Sequence, residues 1–166
     1  MVGRMLRHLF MPSWLLWRYF PPALLAEIET AIRESETRHH GEIRFAVETS
    51  LPLSALWSGV SGRQAAVKAF SDLAVWDTEN NSGVLIYLLL ADHDIEIVAD
   101  RGIAAKVDQT EWDNIAKLME RRYRAGDFRT GTFEGIRRVT ELLARHFPAG
   151  PENPNELSNE PVVLRR

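Results

Sequence analysis

The sequence predicts an α/β fold: a mixed β-sheet flanked by helices on both faces, an α/β/α sandwich. It reads as a β-α-β unit followed by a hairpin and two C-terminal helices. Three observations carry this. The run VLIYLLLA, residues 84–91, is apolar at nearly every position, as a central strand buried on both faces is. A helical stretch from Gly62 to Trp76 separates it from an earlier alternating run, residues 42–50. The tight turn Asp92-His93-Asp94 then joins it to a further strand, IEIVA, at 95–99.

The elements follow in order. Residues 1–20 form an arm rich in apolar and aromatic side chains, including Trp14, Trp17 and the pair Tyr19-Phe20. Such a segment either packs on the domain or lies as an amphipathic anchor on a membrane or a partner, with Arg4, Arg7 and Arg18 to meet headgroups. Pro21 and Pro22 suit the first turn of a helix. Leu24, Leu25, Ile28 and Ile32 recur at helical spacing after them, and Gly41 ends the segment. Ile43, Phe45, Val47 and Thr49 alternate with Arg44, Ala46 and Glu48, a half-buried strand that Pro52 stops. From Gly62, the residues Ala66, Phe70, Leu73 and Ala74 share one helical face. Asp77 to Gly83 (DTENNSG) is a polar turn segment. The strand–helix–strand unit is expected to cross over right-handed, making its two strands parallel. Gly102 to Val107 reads equally as loop or helix. A long helix from Thr110 carries Trp112, Ile115, Ala116, Met119 and Tyr123 on one face until Gly126. A last helix runs from about Thr132 and buries Phe133, Ile136, Thr140, Leu143 and Phe147. The domain therefore spans 21–147, and the Pro/Asn/Glu-rich residues 148–166 read as a disordered tail.

Composition narrows the function classes. The 166 residues suit one domain with a real core and are few for two. With 45% apolar and 26% charged residues the chain is of ordinary globular composition. It has no cysteine, which excludes disulfides, thiol catalysis and Cys-based zinc sites. A net charge of −3 offers no basic field, so nucleic acid is not an expected partner. The arginines at 121, 122, 124, 137 and 138 interleave with Glu120, Glu134 and Glu141 as solvated helix faces do. Arg7, His8, Pro12 and Arg18 interrupt the apolar runs of the first 22 residues, unlike the unbroken ~7–15 residues of a signal peptide. No run approaches the ~20 apolar residues of a membrane span. The expected location is the cytoplasm, with peripheral membrane contact through residues 1–20 as one open reading and an unidentified protein partner as another.

Four local patterns resemble the TPM domain family, whose members include thylakoid-lumen, photosystem II repair and receptor-modulator proteins. They are Gly41-Glu42 leading into an apolar strand, the helix ending Phe70 to Trp76, NNSG feeding VLIYLLLADHDIEIVADRG, and Gly126-Asp127-Phe128 followed by Gly131. Together they span residues 25–147. Ser82 stands between the asparagines and the glycine, and Asp100 stands where relatives often carry glycine. Relatives often carry a signal peptide and a membrane helix, so the chain is similar to the stand-alone branch.

Two activities enter through this resemblance. Some relatives bind calcium. The geometry of a hairpin brings Asp77, Glu79, Asn80 and Asn81 to the same sheet edge as Asp100, where Ca2+ or Mg2+ would find oxygen ligands. Asp127 joins that set if residues 102–109 carry the chain across the sheet. The alternative is a solvated turn, where Asp and Asn are common for conformational reasons. Plant relatives are assigned a weak acid phosphatase activity. For that chemistry Asp100 and Arg101 would contribute at the same edge, although no P-loop is present. His39, His40 and His146 lie near helix ends, where a charge–dipole contact accounts for them.

Overall fold

The computed structural model describes residues 2–164. Met1, at the start of the arm, and Arg165 and Arg166, at the end of the tail, lie outside the described residues. The sheet has four strands in the order β3-β2-β1-β4: β1 Glu42–Glu48, β2 Gly83–Leu89, β3 Asp94–Ala99 and β4 Val162–Leu164. As expected, β1 and β2 are parallel, with Glu42 opposite Gly83. Strands β2 and β3 form the predicted antiparallel hairpin, with Val84 opposite Ala99. A single 3-10 turn, Leu90–Asp92, and a left-handed His93 close it.

Eight helices cover the two faces among the described residues: α1 Val2–Leu9, α2 Ser13–Tyr19, α3 Pro22–Glu36, α4 Leu53–Trp57, α5 Gly62–Asp72, α6 Arg101–Ala104, α7 Gln109–Arg124 and α8 Phe128–His146. On one face Phe45, Val47, Ile86, Leu88 and Ile97 pack with Phe20, Ile28, Trp112, Met119 and Leu143 of α3, α7, α8 and their approach. On the other, Ala46, Leu85, Tyr87, Leu89 and Val98 pack with Leu56 of α4 and Ala65, Ala66 and Ala69 of α5. This is the predicted α/β/α sandwich. Helix starts follow local chemistry: Ser61 and Gln64 form a capping box for α5, and Asp108 and Asp127 cap α7 and α8. At Gly135 an added Cβ would collide with the Met119 side chain, so glycine lets α8 approach α7 closely.

Before the tail, the structure corrects the sequence reading in five places. Strand β1 is buried at all seven positions rather than on one face. It lies between β2 and β4, and its polar side chains find partners: Tyr87 Oη donates to the Glu48 carboxylate at 2.6 Å. Helix α4, absent from the reading, begins directly after Pro52. The ambiguous segment after β3 contains α6, capped by Asp100. Helix α5 stops at Asp72 and not near Trp76, because Ala74 takes a left-handed backbone. Helix α8 starts at Phe128, four residues before the expected Thr132, because Asp127 already caps it.

The tail is the largest departure. Residues 148–161 carry no regular element, yet they are tied down, and Val162–Leu164 adds a strand parallel to Ala46–Glu48 of β1. Composition counts the scarcity of apolar side chains in this segment. It does not register that its backbone N–H groups and asparagines find buried acceptors.

Candidate functional site

The N-terminal ends of β1 and β2 and the C-terminal end of β3 meet at one end of the sheet, where most of the predicted acidic residues gather. Asp100 N–H donates to Gly83 O, while Gly102 and Ile103 N–H both donate to Asn81 O. Arg101 Nε donates to Asn81 Oδ1 at 2.8 Å. The loop 77–81 and Asp100 therefore share an edge, as hairpin geometry requires. Gly102 is essential to that closeness: an added Cβ would meet the backbone carbonyls of Asn80 and Asn81. Asp100 is 8% exposed; its Oδ1 accepts from Arg101 N–H, and its Oδ2 is buried with no hydrogen-bond partner among the described residues. Asp77 and Glu79 are exposed, and Glu79 N–H donates to Glu156 of the tail. Asp127 does not join them. Its Oδ1 accepts from Thr130 N–H, and the adjacent Phe128 packs against His93 at the opposite, hairpin end of the sheet.

These donors do not fit a calcium or magnesium cage. Such a cation takes roughly six to eight oxygens, several from carboxylates. Among the described residues no three His, Asp or Glu side chains lie close enough together to hold a metal ion. The Asn81 side-chain oxygen already accepts from Arg101, which brings a positive charge to the same edge.

Beside this edge lies a carboxylate pair that the sequence reading missed. Glu36, at the end of α3, accepts from Ile43 N–H, and Asn159 Nδ2 donates to its second oxygen. Glu42 accepts from two successive tail amides, Glu156 N–H at 3.1 Å and Leu157 N–H at 3.3 Å. Burial, and then the neighbouring Glu42, push the Glu36 carboxyl up to about 8. Burial raises Glu42 as well. Both line a cavity of about 570 Å³ together with Asn153, Asn155 and Ser158 of the tail. In the sequence Glu42, Arg44 and Glu48 alternate with mostly apolar residues, the ordinary pattern of a strand with one solvated face, so nothing there marked Glu42 as buried. His39 is fully buried and burial lowers it to about 4, which leaves it neutral beside Gly41 O; the helix-end contact expected for it is not made.

The arm forms a second candidate surface. Helix α1 packs by Arg4, Met5 and His8. Arg4 Nε donates to Asp92 Oδ2 at 2.8 Å, Arg7 reaches Asp92 Oδ1 at 3.2 Å, and His8 Nε2 lies 3.1 Å from Asp92 Oδ2. His8 Nδ1 also accepts from Leu51 N–H. Burial opposes ionisation of Asp92, but the hydrogen bonds from Arg4 and His8 outweigh it and hold its carboxyl below the usual carboxylate range. The apolar stripe, Val2, Leu6 and Leu9 at helical spacing, consequently faces outward. Phe10 (73% exposed), Trp14 and, from α4, Leu53 and Trp57 (69%) are exposed with it. Among the described residues of the arm, only Leu16 and Phe20 enter the main core as buried apolar side chains. No helix among the described residues is long and apolar enough to cross a membrane.

Comparison with known proteins agrees with this architecture. A family model of the TPM domain matches residues 18–142. The chain is similar to the BA42 protein from the psychrophilic bacterium Bizionia argentinensis, solved by NMR, at 28% identity over 85% of this chain and 92% of that one, with a TM-score of 0.75. The solution structure of the N-terminal domain of a protein from P. gingivalis shares the fold at 19% identity, covering 78% of this chain and 81% of that one, with a TM-score of 0.61. No curated protein matches the chain.

Proposed function

We propose, from the premise that this chain belongs to the TPM domain family, that it is a non-catalytic binding module that docks on a membrane surface through the outward face of its N-terminal arm. The observation that carries this is the inverted packing of α1. Arg4 and His8 turn inward to Asp92, while Val2, Leu6, Leu9 and Phe10 turn out. A soluble helix buries its apolar stripe, so an exposed one on a well-anchored helix marks a docking surface. Each such side chain gains about 1.5–3 kcal/mol when fully removed from water. Trp14 and Trp57 favour lipid over protein as the occupant, because the indole ring suits the headgroup layer. Arg18 is exposed on the same arm to meet phosphates. Sedimentation with phosphatidylcholine–phosphatidylglycerol vesicles tests the reading. The full chain is expected to pellet with vesicles, and a Leu6→Asp, Phe10→Asp variant to stay in solution. Equal partitioning of the two would refute it.

A second reading, hydrolysis of phosphate esters, draws on the family model, which is labelled a TPM phosphatase. One observation favours it: the buried, unpartnered Asp100 Oδ2 beside the exposed Arg101 offers a proton acceptor next to a cation. Turnover of p-nitrophenyl phosphate by the chain, abolished in Asp100→Asn, is the outcome it requires. Turnover that survives the substitution removes it.

A further inference from the structure

We propose that the edge of β1, with Glu36, His40, Glu42 and Arg44, is a receptor groove for an extended polypeptide, filled here by the chain's own tail and filled in trans by the tail of a second copy. The groove reads a backbone. Glu42 accepts two consecutive amides, Glu156 and Leu157; the Arg44 guanidinium donates to Ser158 O; His40 Nε2 accepts from Gly150 N–H at 2.7 Å. It also reads two asparagines. Asn153 Nδ2 donates to Glu36 O and His39 O, and Asn159 Nδ2 donates to the Glu36 carboxyl. Beyond them Val162–Leu164 pairs in register with Ala46–Glu48 as a parallel edge strand. Pairing to a sheet edge plus side-chain pockets is how added strands are generally recognised.

The receiving side chains lie between Glu36 and Glu48, inside the region that matches the family domain, whereas the tail lies wholly after residue 142, where that match ends. The groove is thus a property of the domain and the tail is its ligand. The covalent link between the two runs through Phe147 to Ala149, where His40 N–H donates to Phe147 O and Ala149 N–H donates to Arg38 O. None of the tail's contacts depends on which copy supplies it, and exchange of an identical terminal element is a low-cost route to a dimer.

The absence of cysteine allows a direct test in the full chain. Thr37 and Asn155 are exposed and line the same cavity from groove and tail. Chains carrying only Thr37→Cys are mixed with chains carrying only Asn155→Cys, concentrated, and treated with a short bismaleimide. Links between 37 and 155 of different chains are expected several-fold above the 37–37 and 155–155 links, and rising with concentration. The chain with both substitutions gives the internal link as a control. Adding Val163→Asp to the tail-labelled chain should erase the excess. Links in collisional proportions, or an excess that survives Val163→Asp, overturns the proposal.

Discussion

Glu36 shows how one buried carboxyl can set a pH dependence. Its neighbours donate to both oxygens, but burial and then Glu42 carry it from the ordinary 4.5 up to about 8. A folded-state value above the unfolded one means that folding favours the protonated acid. Its contribution to stability is therefore fully present below pH 4.5 and is lost as pH rises to about 8. Glu36→Gln keeps the shape without the titration. The difference in Tm, wild type minus Glu36→Gln, should fall steadily across that window when followed by calorimetry; a constant or rising difference contradicts the assignment. Gly102 gives a second test at this scale. Alanine there forces its Cβ against the carbonyls of Asn80 and Asn81, an overpacking that costs about 1–3 kcal/mol. Urea denaturation should show a lower midpoint with an unchanged slope.

At the scale of elements, Asp92 is the clasp for α1. Replacing it with alanine leaves Arg4, Arg7 and His8 without their shared acceptor. Amide exchange in residues 2–9 should then accelerate while β2 stays protected; unchanged protection of α1 would show that other contacts hold the helix. The elements were also where the sequence spoke most clearly. Strands β2 and β3, the hairpin between them and the long helix α7 carry strong periodicity or unbroken apolar runs, and each formed where expected. Helix α4 and strand β4 are five and three residues long, too short to show a period. The grouping of Asp100 with the loop 77–81 was legible because a hairpin fixes which strand ends meet. The displacement of Asp127 was not, since it depends on where α6 and α7 carry the chain. Glu36 and Glu42 escaped notice because an isolated glutamate in a sequence gives no sign that a distant tail will cover it.

Over the whole molecule, the two ends of the sheet differ in character. One end gathers Glu36, Glu42, Glu79, Asp100 and the tail. The other gathers the hairpin turn, Asp92 and the arm, with its apolar face turned to solvent. The chain as a whole is acidic, at −3, so docking on lipid relies on the apolar face and gains only locally from Arg18. Salt should consequently weaken vesicle binding only modestly, and a steep loss of binding between low and high salt would point to an electrostatic contact instead. The most direct measurement of the central claim is tryptophan emission of the full chain mixed with vesicles whose acyl chains carry bromine. Docking through the arm predicts a blue shift and strong quenching, both reduced in Trp14→Phe and absent in the Leu6→Asp, Phe10→Asp variant. Emission that the vesicles leave unchanged, or quenching that the variant retains, would contradict it.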